Sequence, residues 1–176
     1  MKSKIIPVRK YIIKYGIVLG IATVIFSFFI YLTGHYTEQN LFHAAIFFLI
    51  TLSCIMTGLI AFKNNNDKYI SLGEALKIGI GISLLGGLIA ILWKILLIKV
   101  IDPGIIIQLE NNHIKRIAEA SSDFTQEQID RKMALTRKSI SPIRMITTAL
   151  ISDLLGGFLI SLIGGLIIRK KRDPFK

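Results

Sequence analysis

Apolar residues fall into four long runs, at 12–32, 41–62, 78–101 and 145–168, and polar residues collect between them and at both ends. Each run is 21 to 24 residues long. A helix needs about 20 residues to cross the hydrocarbon core of a bilayer, so each run is long enough to span it. Backbone polar groups in lipid must be satisfied within the segment, so the runs are expected to be helices. The pattern predicts an all-α fold: a four-helix transmembrane bundle made of two antiparallel hairpins.

The first run follows a basic start, as a signal peptide would. Its apolar stretch exceeds the roughly 7–15 residues of a signal core, and no A-x-A site follows, so it reads as a retained anchor.

The stretch at 102–142 is polar but patterned. Asp102 followed by Pro103 is a helix-start signal, an acceptor and then a residue whose missing N–H costs nothing. A helix is expected from there to about Ala120. Thr125 with Gln128 forms a capping box, with Phe124 and Ile129 placed as a staple around it. Ile129, Met133, Thr136 and Ile140 mark one face of a second helix, which Pro142 ends. The stretch is expected to be a helical hairpin. It either packs on its own bundle or offers residues 103–140 to a membrane or envelope partner. Ser71 and Glu74 form another capping box, starting the third helix about a turn before its span.

Small residues suggest how the second pair of helices meets. Gly79, Ser83 and Gly87 recur every four residues in the third span, and Gly157, Ser161 and Gly165 in the fourth. Such stripes let backbones approach closely, which drives helix association in lipid. An antiparallel seam would set Gly79 against Gly165, Ser83 against Ser161 and Gly87 against Gly157. A poorer version in the first pair would set Gly16 against Ala61 and Gly20 against Thr57. In the seam register Lys94 and Asp153 are offset by three residues, about 4.5 Å. An intramembrane Asp is costly without a partner, so a Lys94–Asp153 ion pair is expected. The alternative is that Lys94 snorkels to the interface and Asp153 takes a proton or a water. The two halves also resemble each other weakly: Lys14, Gly16 and Ile17 parallel Lys77, Gly79 and Ile80, as in a repeated hairpin.

Charge sets an expected orientation. The chain carries 22 Lys and Arg against 11 Asp and Glu. Ten of the 22 sit at the termini, five through Lys14 and five after Ile168. The stretch at 33–40 has none. The positive-inside rule then puts both termini in the cytoplasm and 102–142 on the opposite side. Five tyrosines and Trp93 lie near the expected interfaces. Basic charge abutting apolar helices argues against nucleic acid as a partner.

Candidate chemistry is sparse. Cys54 is the one cysteine, which excludes an internal disulfide and a Cys/His zinc site. No phosphate loop, dinucleotide fingerprint, nucleophile elbow or zinc-helix motif occurs. His35, His43 and His113 stand apart in sequence, with no carboxylate arrangement around them. The expectation is a non-enzyme without catalytic, cofactor-binding or metal residues. It would act by binding a partner or, alternatively, as a small ion or solute transporter using Lys94 and Asp153.

The first span with Gly16 and Gly20, the stretch from Ser71, Leu72, Gly73 and Glu74 to Gly79, the Asp102-Pro103 turn, Ser141-Pro142 and the Gly-rich last span resemble the domain-of-unknown-function 4199 family. The resemblance covers nearly the whole chain. It implies a four-span bacterial inner-membrane protein and supplies no activity and no catalytic residue.

Overall fold

The computed structural model describes residues 7–38, 40–119, 125–139 and 142–170. Six α-helices run in the order α1 (Val8–Leu32), α2 (Leu41–Asn65), α3 (Leu72–Leu96), α4 (Ile105–Glu119), α5 (Gln126–Ser139) and α6 (Pro142–Ile168), with a π turn (Leu97–Ile101) extending α3. α1, α2, α3 with its π turn, and α6 are each long and apolar enough to cross a membrane. Their surfaces agree: Ile25, Phe29, Leu92, Ile151 and Ile163 are all exposed. A surface as apolar as the core is unfavourable in water and suits lipid. The chain is a multi-pass membrane protein.

Capping explains most of the helix boundaries. Ser71 accepts from the Glu74 N–H at 3.3 Å, and the Ser71 N–H donates to Glu74 Oε2 at 2.8 Å, closing the expected box. Asn40 Oδ1 accepts from the Phe42 N–H at 2.9 Å to start α2. α1 stops at a Schellman turn: the His35 N–H reaches the Ile30 carbonyl and the Gly34 N–H reaches that of Tyr31. Gly34 supplies the required positive φ of 75°. Asp102 Oδ1 accepts from the Gly104 N–H at 3.0 Å, and α4 begins at the next residue. At α5 the Thr125 N–H donates to Gln128 Oε1 at 3.0 Å. Ala120, Phe124 and Ile140, and the side chains of Ile129, Met133 and Thr136, lie outside the described residues.

α3 is the hub, in contact with α1, α2 and α6. Its most extensive partner is α1, so the first helix packs chiefly outside its expected hairpin. These two helices run parallel, and glycines on each receive long side chains from the other. Leu85 fills the space over Gly16 and Ile89 that over Gly20, while Ile12 covers Gly81 and Leu19 covers Gly86. The nearest neighbours of Gly16 and Gly20 are therefore on α3 rather than the expected Ala61 and Thr57 of α2. Gly58 of α2 meets Ile82 and Tyr15 instead.

The α3–α6 contact is antiparallel and small against small, but its register differs from the expected one. Gly79 faces Ser161, Ser83 faces Gly157, Gly87 faces Asp153 and Gly165 faces Ala75. The shift is four residues, about 6 Å or one turn. Stripes with a period of four interlock equally well one turn out, so composition alone did not choose. A Cβ on Gly79 would lie 3.3 Å from the Gly157 carbonyl oxygen, and one on Gly157 would lie 3.2 Å from that of Gly79.

The two ends of the bundle are built differently. At the terminal end, Tyr11 and Phe62 meet edge to face at 5.3 Å within a cluster that includes Leu59, Ile70, Ala75 and Ile78. Ile70 and Lys170 exchange two backbone hydrogen bonds of 3.2 and 3.1 Å, tying the α2–α3 loop to the end of α6. At the other end, the α4 end, Leu97, Ile98 and Ile105 form a second cluster, with Tyr31, Tyr36, Trp93 and Leu109 around it.

Candidate functional site

The helix ends near α4 border a half-open cavity of about 300 Å³. Thr23 and Ser27 of α1, Tyr36 and Glu38 of the following loop, His43 of α2 and Lys94 of α3 line it, and Leu109 brings in α4. The loop reaches it because the Schellman turn reverses the chain after α1. The Asn40 cap then starts α2 so that His43 sits in its first turn.

One network fixes the wall. The Trp93 Nε1–H donates to Ser27 Oγ at 3.1 Å. The Tyr36 hydroxyl is hydrogen-bonded to the same serine. Ser27 is buried, and a buried hydroxyl needs such partners. Burial pushes the Tyr36 phenol above its ordinary range, and the bond to Ser27 offsets part of that rise. Phe28 packs edge-on against Trp93 at 5.7 Å, and Phe26 against Phe47 at 4.8 Å. Thr23 turns its hydroxyl back to the Leu19 and Gly20 carbonyls at 2.9 and 2.8 Å. The loop is pinned to α4 by Asn112 Nδ2, which donates to the buried Thr37 Oγ1 at 2.8 Å.

Lys94 is half-buried and interacts electrostatically with Asp153. The register sets the two further apart along the helices than expected. Asp153 packs its carboxyl over Gly87. Lys94 lies seven residues further along α3, about 10 Å of rise, rather than the expected offset of three. Lys94 also lines the cavity, where among the described residues Glu38 is the only carboxylate and His43 the only imidazole. This set of residues was not drawn from the sequence, which left His43 without a carboxylate. The available signal was Glu38, the one acid in the 33–40 stretch, standing five residues before His43 across a cap.

None of the seam residues lines this cavity. Ser161 Oγ donates to the Gly157 carbonyl at 2.6 Å, whereas Ser83 Oγ, also buried, has no hydrogen-bond partner among the described residues. Gly79, Gly87 and Gly165 serve close approach. Among the described residues no group of three or more His, Cys, Asp or Glu is placed to hold a metal. Among the described residues the arrangement offers one cation, one carboxylate, one imidazole and several hydroxyls against a mostly apolar wall. That set can orient a small amphipathic ligand.

A family described as a protein of unknown function, DUF4199, matches residues 14–170. No curated protein and no solved structure matches the chain.

Proposed function

The chain belongs to the DUF4199 family, whose description carries no activity, and we propose from its geometry that it is a non-enzymatic membrane protein acting by binding a membrane or envelope partner through residues 103–140. The supporting observation is the unequal attachment of the two helices of that stretch. α4 is anchored to the bundle by Ile105, Leu109 and the Asn112–Thr37 bond, whereas α5 has its main contact with α4. Glu127, Arg131 and Ala134 of α5 are exposed. In this reading the termini are cytoplasmic, as the basic ends favour, and α5 is held out on the opposite face of the membrane.

Co-purification from native membranes tests this, comparing the natural chain with an Arg131→Glu/Ala134→Arg variant. Both should fold and reach the membrane, and a stoichiometric partner should be lost from the variant alone. A partner retained equally by both, or none with either, contradicts the reading.

The cavity favours a second reading, a small solute or ion transporter with Lys94 and Glu38 in its chamber. Flux into proteoliposomes that falls at least tenfold in Lys94→Met and is unaffected in Lys63→Met supports it. No flux above protein-free vesicles removes it.

A further inference from the structure

A second, smaller recess of about 170 Å³ lies between the end of α3 and the start of α6. Lys94 and Lys99 enter it, Ile95, Ile98, Ile143 and Ile146 form most of its wall, and among the described residues no carboxylate lines it. The two lysines are five residues apart, which on a regular α-helix would place them about 140° apart. The π turn at Leu97–Ile101, where the Asp102 N–H reaches back to the Leu97 carbonyl at 2.8 Å, widens the helix there. Both cations share the recess. Arg144, exposed beside Ile143, adds charge of the same sign. Asp102, the nearest acid along the chain, accepts from the Gly104 N–H.

Two ammonium groups at the edge of an apolar span repel each other; Asp153 acts electrostatically on Lys94 alone, so the pair together still favours an anion beside it. Their depth is interfacial: Trp93, Tyr31 and Tyr36 lie at the same end of the bundle, and lysine stems of this length carry the charge to the headgroup level. The isoleucines continue the groove toward the hydrocarbon. We propose that this recess binds an anionic phospholipid, its phosphate held by Lys94 and Lys99 and an acyl chain lying against Ile95, Ile98, Ile143 and Ile146. The charge complementarity and the aliphatic floor select a lipid over a free anion, since inorganic phosphate would use the lysines and leave the floor empty.

Trp93 is the sole tryptophan and adjoins Lys94 in the chain, so its fluorescence reports occupancy. The full chain is reconstituted in vesicles in which either phosphatidylglycerol or phosphatidylcholine carries brominated acyl chains, and quenching of Trp93 gives their relative affinity. A preference for the anionic lipid of at least fivefold is expected, on the scale of one lysine–lipid contact. Lys94→Gln/Lys99→Gln should reduce it to below twofold, whereas Lys63→Gln/Lys68→Gln at the terminal end should leave it unchanged. If the first double variant fails to reconstitute, Lys99→Gln alone decides, and should at least halve the preference. Equal quenching by the two lipids in the natural chain overturns the proposal, as does a preference that survives Lys99→Gln undiminished. Relief of the quenching by millimolar glycerol phosphate would assign the site to a free anion and overturn the lipid assignment.

Discussion

The two ends of this bundle solve the same problem in opposite ways. The terminal end is closed: Phe62 is 1% exposed, Ile70 and Ile78 are fully buried, the Ser71 cap is complete and a backbone bridge ties α6 to the loop before α3. The α4 end is open. It gathers polar groups around a cavity, interrupts its central helix with a π turn and brings a half-buried lysine to the cavity wall. Unsatisfied or irregular features lower stability, and they persist where a ligand or partner uses them. On the proposed reading, stability sits at one end and binding at the other.

The largest expected effect is at the closed end. Phe62→Ala removes a buried ring and its contact with Tyr11, and should cost about 3 kcal/mol. That is the low end for such truncations, because packing rather than transfer from water is lost in lipid. Reversible unfolding in mixed micelles measures it, and a cost below that of any change at the α4 end would dissolve the comparison. Next comes Gly79→Ala, where the new methyl would collide with Ser161, at roughly 1–3 kcal/mol. Its control is Gly73→Ala, which has open space and should be neutral or slightly stabilising. Equal effects of the two would mean that the seam is not a close contact.

Ser71→Ala deletes half of the capping box and should cost about 1 kcal/mol in the same assay. Trp93→Phe belongs to the open end. It loses the bond to Ser27, which keeps Tyr36, so a cost of about 1 kcal/mol or less is expected, with a change in ligand access to the cavity.

The smallest effect is in pH dependence. Burial, and then the nearby Arg116, hold the His113 imidazole below its ordinary value near 6.5. The folded state therefore favours the neutral ring. Its contribution is present above the unfolded pKa and is lost as pH falls through the lowered folded value. Hydrogen exchange should show α4 loosening slightly between pH 7.5 and 5, and His113→Gln should flatten that trend. An unchanged trend in the variant assigns it to another group.

What the sequence made legible follows from where information lies. The four spans were plain because hydrophobic length is a local property. Helix starts were plain where a cap is a short motif, as at Ser71 and Glu74. The first helix begins at Val8 rather than Ile12 because Arg9 and Lys10 continue a helix as readily as apolar residues do. The α3–α6 seam was visible because both partners carry small residues. Its register was not, because Gly79 can sit beside Ser161 or Gly165 at similar cost. The α1–α3 contact was hidden for a related reason: Leu85 and Ile89 fill glycine notches, yet in sequence they look like any lipid-facing residue. The cavity was the least legible feature. It depends on a loop folding Glu38 and Tyr36 back over helices α1 and α3, which no local pattern records.

The division of labour between the two ends is tested most directly by a photo-crosslinking scan in native membranes. The crosslinking residue is placed in turn at exposed α5 positions, Glu127, Arg131 and Ala134, and at exposed terminal-end positions, Asn64 and Lys68. The account predicts one recurrent adduct from the α5 positions, absent from the terminal-end positions and from the Arg131→Glu/Ala134→Arg background. Adducts that concentrate at Asn64 and Lys68, or that are equally frequent at both ends, would contradict it.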